Sequence, residues 1–125
     1  MSDYSWKQER IFFFGYSEGG AIVLDFIAHS KASYGGAVVI GSSWIEDTLR
    51  NPPELASSTP LLMLHGLADP VWPIALARET AAKYKAWTSA KVDLHVFNKG
   101  HGMIANAVRF FQKNPPDAVL NTFLG

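Results

Sequence analysis

The chain alternates short apolar runs with segments long enough to form helices. Four such runs, each closed by glycine or a turn signal, predict β-strands at residues 11–14, 37–40, 61–64 and 92–97. The first three are apolar at every position, which is typical of parallel strands covered on both faces. The fourth alternates polar and apolar residues, which is typical of a half-solvated strand at the margin of a sheet.

The segments after these strands carry helix signals. Their apolar stripes predict helices over residues 18–29, 73–87, 103–113 and 117–124. Residues 51–60, with three prolines, are predicted to form a loop. Because strands and helices alternate, we expect right-handed crossovers and a single α/β domain over residues 1–125, with four mainly parallel strands.

Composition and charge exclude several classes of partner. Apolar residues make up 48% of the 125 residues and charged residues 18%, as in a globular protein. Eleven basic and eleven acidic residues cancel, so no net charge favours binding to nucleic acid or anionic lipid. The absence of cysteine excludes disulfides and thiolate metal sites, and no apolar stretch is long enough to cross a membrane. We expect a cytoplasmic protein.

The first strand runs directly into Gly-Tyr-Ser-Glu-Gly-Gly, residues 15–20. A tight turn from strand to helix projects a serine hydroxyl away from the backbone, provided that small residues beside it let strand and helix pass closely. Gly15 and Gly19 lie two positions either side of Ser17, and Gly20 is predicted to relieve the same crowding. Ser17 is therefore a candidate nucleophile. The Gly-x-Ser-x-Gly pattern alone also occurs in ordinary turns, so its value as evidence for a nucleophile depends on the residues downstream.

A serine nucleophile needs a base, and the base needs a carboxylate to orient it. Asp69 follows the third predicted strand, and His101, flanked by two glycines, follows the fourth. The carboxyl ends of parallel strands lie at one edge of a sheet, where open α/β sheets carry their sites. Ser17, Asp69 and His101 are therefore predicted to converge there.

These motifs resemble those of a known superfamily. The stretches FFFGYSEGG, HGLADPVWP and GHG are similar to the nucleophile, acid and histidine motifs of the α/β-hydrolase fold. They are closest to its phospholipase/carboxylesterase branch, which includes the acyl-protein thioesterases, and the similarity covers nearly the whole chain. The resemblance implies a serine hydrolase of carboxylic esters or thioesters that forms an acyl-enzyme intermediate and uses no metal or cofactor.

The resemblance also implies roles for individual residues. Ser17 would be the nucleophile, His101 the general base and then acid, and Asp69 the group that holds the histidine tautomer. The backbone N–H of Glu18 would be one oxyanion donor, at a position where the family usually has glutamine. Five apolar residues that follow strand ends are candidates for lining an acyl pocket, although ordinary packing explains them equally: Trp44, Ile45, Val71, Trp72 and Met103.

Other roles stay open for the histidines. His65, at a strand end, is a candidate for fixing the backbone rather than for catalysis. A zinc site formed by His65, Asp69 and His101 is chemically possible, since three protein ligands suit a hydrolytic metal, but it leaves the serine turn unexplained. His29 and His95 are predicted to face solvent.

The resemblance further implies a truncated α/β-hydrolase fold that lacks its N-terminal half, because the nucleophile strand is the first here. The loop that supplies a second oxyanion donor would be absent with that half, and one such donor is typically worth about 10²- to 10³-fold in turnover. A non-catalytic remnant that serves as an assembly or binding subunit is therefore an alternative.

The predicted arrangement leaves apolar surface uncovered. Crossovers that step in one direction place their helices on one face of the sheet, and the first strand, with three phenylalanines, would be an open edge. We expect a homo-oligomer that covers this edge or the unshielded face, unless another polypeptide or an upstream segment supplies the missing half.

Overall fold

The computed structural model describes residues 10–51, 58–98 and Lys113. In chain order these residues form β1 (Phe12–Tyr16), α1 (Glu18–His29), β2 (Gly36–Ile40), α2 (Glu46–Arg50), β3 (Leu61–Gly66), α3 (Ile74–Trp87) and β4 (Val92–Phe97). The helices predicted over residues 103–113 and 117–124 lie outside the described residues, apart from Lys113, as do His101 and Met103.

The four strands form one parallel sheet in the order β1-β2-β3-β4, which confirms the predicted fold class. Phe13 pairs with Ala37, Ala37 with Leu61, and Leu61 with Val92, so each strand lies beside its neighbour in sequence. β2 and β3 are buried at every position, as their nearly continuous apolar sequences predict. Among the described strands β4 pairs with β3 alone and is half-buried, as predicted for a marginal strand.

α1 and α3 pack against the same face of the sheet. The core cluster combines Leu24, Ile27 and Ala28 of α1, Ala37 and Val39 of β2, Leu61 and Met63 of β3, and Ala77 and Tyr84 of α3, with Trp44 and Leu49 between them. The strand members are spaced by two, so they point to one face, and the α1 members form one stripe of the helix. This is the arrangement expected of successive crossovers in one direction.

Trp44 joins the two helices within this core. Its indole N–H donates to the carbonyl of Leu24 in α1 at 2.8 Å, and its backbone N–H donates to the hydroxyl of Thr80 in α3 at 3.0 Å. Its ring centre lies 6.0 Å from that of Tyr84, whose hydroxyl donates to the Thr59 carbonyl at 2.7 Å. A fully buried side chain therefore satisfies its polar group and links α1 to α3.

The opposite face of the two central strands is buried as well. Val38, Ile40, Leu62 and Leu64 are at most 3% exposed, although they do not belong to the cluster beneath α1 and α3. α2 was not predicted, because a helix of five residues is too short to show an apolar stripe. None of the helices in the described ranges is long and apolar enough to cross a membrane.

Candidate active site

Backbone hydrogen bonds fix the segments that leave the carboxyl ends of the strands. The N–H of Ser17 donates to the Ile40 carbonyl at 2.8 Å, and the N–H of Gly41 donates to the Leu64 carbonyl at the same distance. The turn after β1 is thereby tied to the end of β2, and the turn after β2 to the end of β3. The predicted site residues after β1 and β3 consequently start from one edge of the sheet.

Ser17 occupies a strained turn between β1 and α1. Its φ of 55° makes it the one non-glycine residue with positive φ in the described ranges, a conformation that costs about 1–3 kcal/mol. A Cβ on Gly15 would lie 2.6 Å from the Cα of Gly20, and a Cβ on Gly20 would lie 2.8 Å from the Cβ of Ser42. Both positions favour glycine, because the backbone of α1 lies directly against Gly15, and the side chains of Val39 and Ser42 lie directly against Gly20.

Gly19 does not share this role. A Cβ on Gly19 would meet nothing within 4 Å, so the prediction that Gly19 lets strand and helix pass closely is wrong. An α-helix turns about 100° per residue, which carries Gly19 to the exposed side of α1 and Gly20 against β2. Glu18, the first residue of α1, has an exposed side chain, and its backbone N–H belongs to the first turn, where helical N–H groups lack intrahelical partners.

Asp69 lies in a tight loop directly after β3. One of its carboxylate oxygens, Oδ1, accepts the backbone N–H groups of Val71 at 2.9 Å and Trp72 at 3.0 Å. The backbone N–H of Asp69 donates to the Gly66 carbonyl at 3.2 Å. The side chain is fully buried, so these bonds offset the cost of removing a carboxylate from water and fix its orientation.

Trp72 connects the Asp69 loop to the serine turn. Its indole N–H donates to the Oγ of Ser17 at 3.3 Å, while its backbone N–H is held by Asp69. Its carbonyl accepts a hydrogen bond of 2.5 Å from the Nε2 of His65. The structure thus brings Ser17, Asp69 and His65 together through one tryptophan.

His65 is buried in β3 behind this loop. A carbonyl oxygen can only accept, so the Nε2 that contacts Trp72 carries the proton. That nitrogen also lies 3.9 Å from the Oδ2 of Asp69. The other ring nitrogen, Nδ1, and the hydroxyl of Ser42 are buried without a hydrogen-bond partner among the described residues. His65 therefore holds the backbone of the loop that contains Asp69 (the acid loop, residues 67–72) through its bond to Trp72, the role that its sequence position favoured.

An open groove of about 1010 Å³ begins at Ser17 and follows the outer side of α1. Its lining includes residues of α1 and the residue after it, and residues of α3 and of the segments after β2 and β3: Glu18, Ala21, Ile22, Asp25, Phe26, His29, Ser30, Ile45, Val71, Trp72, Pro73 and Leu76. Three of the predicted acyl-pocket residues, Ile45, Val71 and Trp72, therefore line a groove that contains Ser17.

The contribution of α1 to this groove was not predicted. The sequence held a signal for it in Ile22 and Phe26, two large apolar residues that lie one turn apart on the side of α1 opposite to its buried stripe. Trp44, by contrast, is a core residue, which corrects its assignment to the pocket. The chain turns at Gly41, whose φ is 62°, and Trp44 three residues later lies in the core between α1 and α3. Met103 lies outside the described residues.

The histidines occupy distinct places. His29 is exposed, with Nδ1 2.8 Å from the Asp25 carbonyl, and His95 is half-exposed, with Nε2 3.0 Å from Asp93 Oδ2. His101 lies outside the described residues. Within residues 10–51 and 58–98, no three His, Cys, Asp or Glu side chains lie close enough to hold a metal ion.

Comparison with known proteins places this geometry in a family. The family model described as phospholipase/carboxylesterase matches residues 2–114 of the chain. A comparison with curated proteins found no significant match.

Solved structures of similar fold include two that are described as esterases. SOBER1 from Arabidopsis thaliana is 21% identical with a TM-score of 0.68, covering 86% of this chain and 52% of that one. The carboxylesterase of Bacillus cereus is 23% identical with a TM-score of 0.67, covering 88% and 52%. Esterase PE8 is 19% identical with a TM-score of 0.64, covering 82% and 49%. At these identities the likeness shows the fold, and the chain spans about half the length of the structures that it matches.

Proposed function

Because the chain belongs to the phospholipase/carboxylesterase family, we propose that it hydrolyses carboxylic esters or thioesters through an acyl intermediate on Ser17. The observation that carries this proposal is the conformation of Ser17. A serine held at positive φ between a strand end and a helix N-terminus stores strain that an ordinary turn would relieve with glycine. Such a turn exposes the hydroxyl at the edge of the sheet, beside the groove.

In the proposed reaction Ser17 Oγ forms a bond to the carbonyl carbon of the substrate. His101 accepts the serine proton as general base and later donates it to the leaving alcohol or thiol. Water then attacks the acyl-serine with the same histidine as base, the bond from the acyl carbon to Ser17 Oγ breaks as the histidine returns the proton to Oγ, and the acid is released. Asp69, buried and oriented by two backbone N–H groups, is the carboxylate assigned to hold the histidine tautomer.

Two features of the described residues support this chemistry. The backbone N–H of Glu18, in the first turn of α1, is assigned to the carbonyl oxygen as it gains negative charge. The apolar side chains of Ile22, Ile45 and Val71 line the groove that leads away from Ser17, where an acyl group would be removed from water.

The test is hydrolysis of a short acyl ester by the parent protein, by Ser17→Ala and by Ser89→Ala. Ser89 is exposed after α3, so its replacement controls for loss of a serine hydroxyl elsewhere. We expect loss of activity in Ser17→Ala alone, and stoichiometric labelling of Ser17 by a fluorophosphonate in the parent. Equal rates in all three proteins would contradict the proposal and favour the non-catalytic alternative.

A further inference from the structure

Trp72 is the residue through which the acid loop reaches the nucleophile. Its backbone N–H and carbonyl are both fixed, the first by Asp69 and the second by His65. Its indole ring lines the groove, and the indole nitrogen lies 3.3 Å from Ser17 Oγ. A side chain with its backbone held on both sides presents its N–H at a defined place beside the nucleophile.

We propose that the indole N–H of Trp72 is a catalytic hydrogen-bond donor that stabilises the negative charge formed during attack by Ser17. This inference rests on the proposed hydrolase function and assigns a second donor, from a side chain, beside the backbone N–H of Glu18. An oxyanion formed from the substrate carbonyl is bonded to the same carbon as Ser17 Oγ. A donor in contact with Oγ therefore already lies beside the position that this oxyanion takes.

The direction of the hydrogen bond supports this role. An indole N–H can only donate, so Ser17 Oγ must accept from Trp72 and keeps its own proton for a base. In the attack, the bond from Oγ to carbon forms, the carbonyl electron pair moves to oxygen, and the serine proton leaves to His101. Trp72 exchanges no atom and supplies only a dipole directed at the reacting oxygens.

The support from His65 explains how a long side chain can hold a catalytic position. The rate benefit of such a donor depends on its being in place before the charge develops, so that no reorganisation is needed. The Trp72 carbonyl accepts from His65 and its backbone N–H donates to Asp69, and these two hydrogen bonds restrict movement of the loop away from Ser17. Trp72 lines the groove together with its neighbours Val71 and Pro73.

The test removes the indole N–H and keeps an aromatic ring. In Trp72→Phe we expect kcat for an acyl ester to fall about 10- to 100-fold, somewhat less than for a short oxyanion-hole bond, with KM changed by less than about twofold. Labelling by a fluorophosphonate should slow by a similar factor. Trp87→Phe makes the same chemical change at an exposed position on the last turn of α3, and it should leave both rates unchanged.

A second variant separates the N–H from the shape of the ring. Benzothienylalanine at position 72 replaces the indole N–H by sulfur, and the kcat loss should equal that of Trp72→Phe. Unchanged kcat in both variants would overturn the role of Trp72, while an inactive Ser17→Ala in the same assay would leave the hydrolase proposal standing. Activity that survives in Ser17→Ala would instead overturn the proposed function itself.

Discussion

The inner and outer sides of α1 both carry large apolar residues, yet the exposure of these residues differs. On the inner side Leu24, Ile27 and Ala28 are fully buried against the sheet, where α1 contacts β1 and β2, whereas on the outer side Ile22 is 67% exposed and Phe26 is 46% exposed. The apolar residues of a surface helix normally form one stripe that faces the core, and Ile22 and Phe26 lie outside that stripe. The inner side therefore holds the fold together, and the outer side, which begins beside Ser17, is available to a ligand or a partner.

The largest effect should come from the inner side. Trp44→Ala removes a buried indole and both links that it makes between α1 and α3, so we expect a loss of about 3–5 kcal/mol in the free energy of unfolding. Ile22→Ala, on the outer side, should cost less than about 0.5 kcal/mol. Unfolding by urea, followed by circular dichroism, measures both. Similar losses in the two variants would contradict the division of α1 into a structural and an open side.

Gly19 and Gly20, at the start of α1, allow the outer and inner sides of the helix to be compared at two adjacent residues. Gly20→Ala forces a methyl group against Val39 and Ser42, and overpacking of this kind costs about 1–3 kcal/mol. Gly19→Ala adds a methyl group to open space within a helix, where alanine is favoured over glycine by about 1 kcal/mol. Thermal unfolding should therefore shift in opposite directions for the two variants. A destabilised Gly19→Ala would contradict the open geometry.

The smallest effect concerns association through β1 and the end of the outer side of α1 that lies away from Ser17, around Phe26, which we propose are covered by a second copy of the chain. The ring of Phe26 lies 5.2 Å from that of Phe13, so the outer side of α1 continues onto β1, which pairs with β2 alone among the described strands. A two-fold axis perpendicular to the sheet beside β1 would pair β1 with its copy in antiparallel orientation and set the two α1 helices side by side on one face.

Sedimentation of the parent at micromolar concentration should accordingly show a dimer. Phe26→Asp should shift it to monomer without a change in helix content, because this side chain is half-exposed on the outer side of α1 next to β1. Val96→Asp, at the opposite margin of the sheet, is the matched control and should leave the dimer intact. A monomeric parent would exclude the proposed dimer.

The sequence predicted elements best where two independent signals coincided. The range of α1 matched because the glycine turn marks its start and an apolar stripe marks its length, and β4 matched because strict alternation has a clear beginning and end. β3 extends two residues beyond its apolar run, through His65 and Gly66, because backbone pairing continues after hydrophobicity stops. Local pattern thus located all four strands but missed the last two residues of β1 and of β3, the strands that lead to Ser17 and Asp69.

The candidate site was predictable in its residue types but not in the directions of its side chains. Trp44 and Trp72 both follow strand ends, and the sequence does not distinguish them. Trp44 lies in the core after a turn at Gly41, whose φ is positive. Trp72 donates its backbone N–H to Asp69 and its indole N–H to Ser17. Such directions depend on tertiary contacts between residues far apart in the chain, which periodicity does not record.

The order of the strands has a consequence for how this chain is made. Each strand pairs with the one synthesised just before it, and paired residues such as Phe13 and Ala37 or Ala37 and Leu61 are about 25 residues apart. A chain emerging from the ribosome can therefore add one strand and its crossover at a time to a sheet that is already in place. No described strand has to wait for a partner that is translated much later, which shortens the period during which the apolar strands are exposed to aggregation.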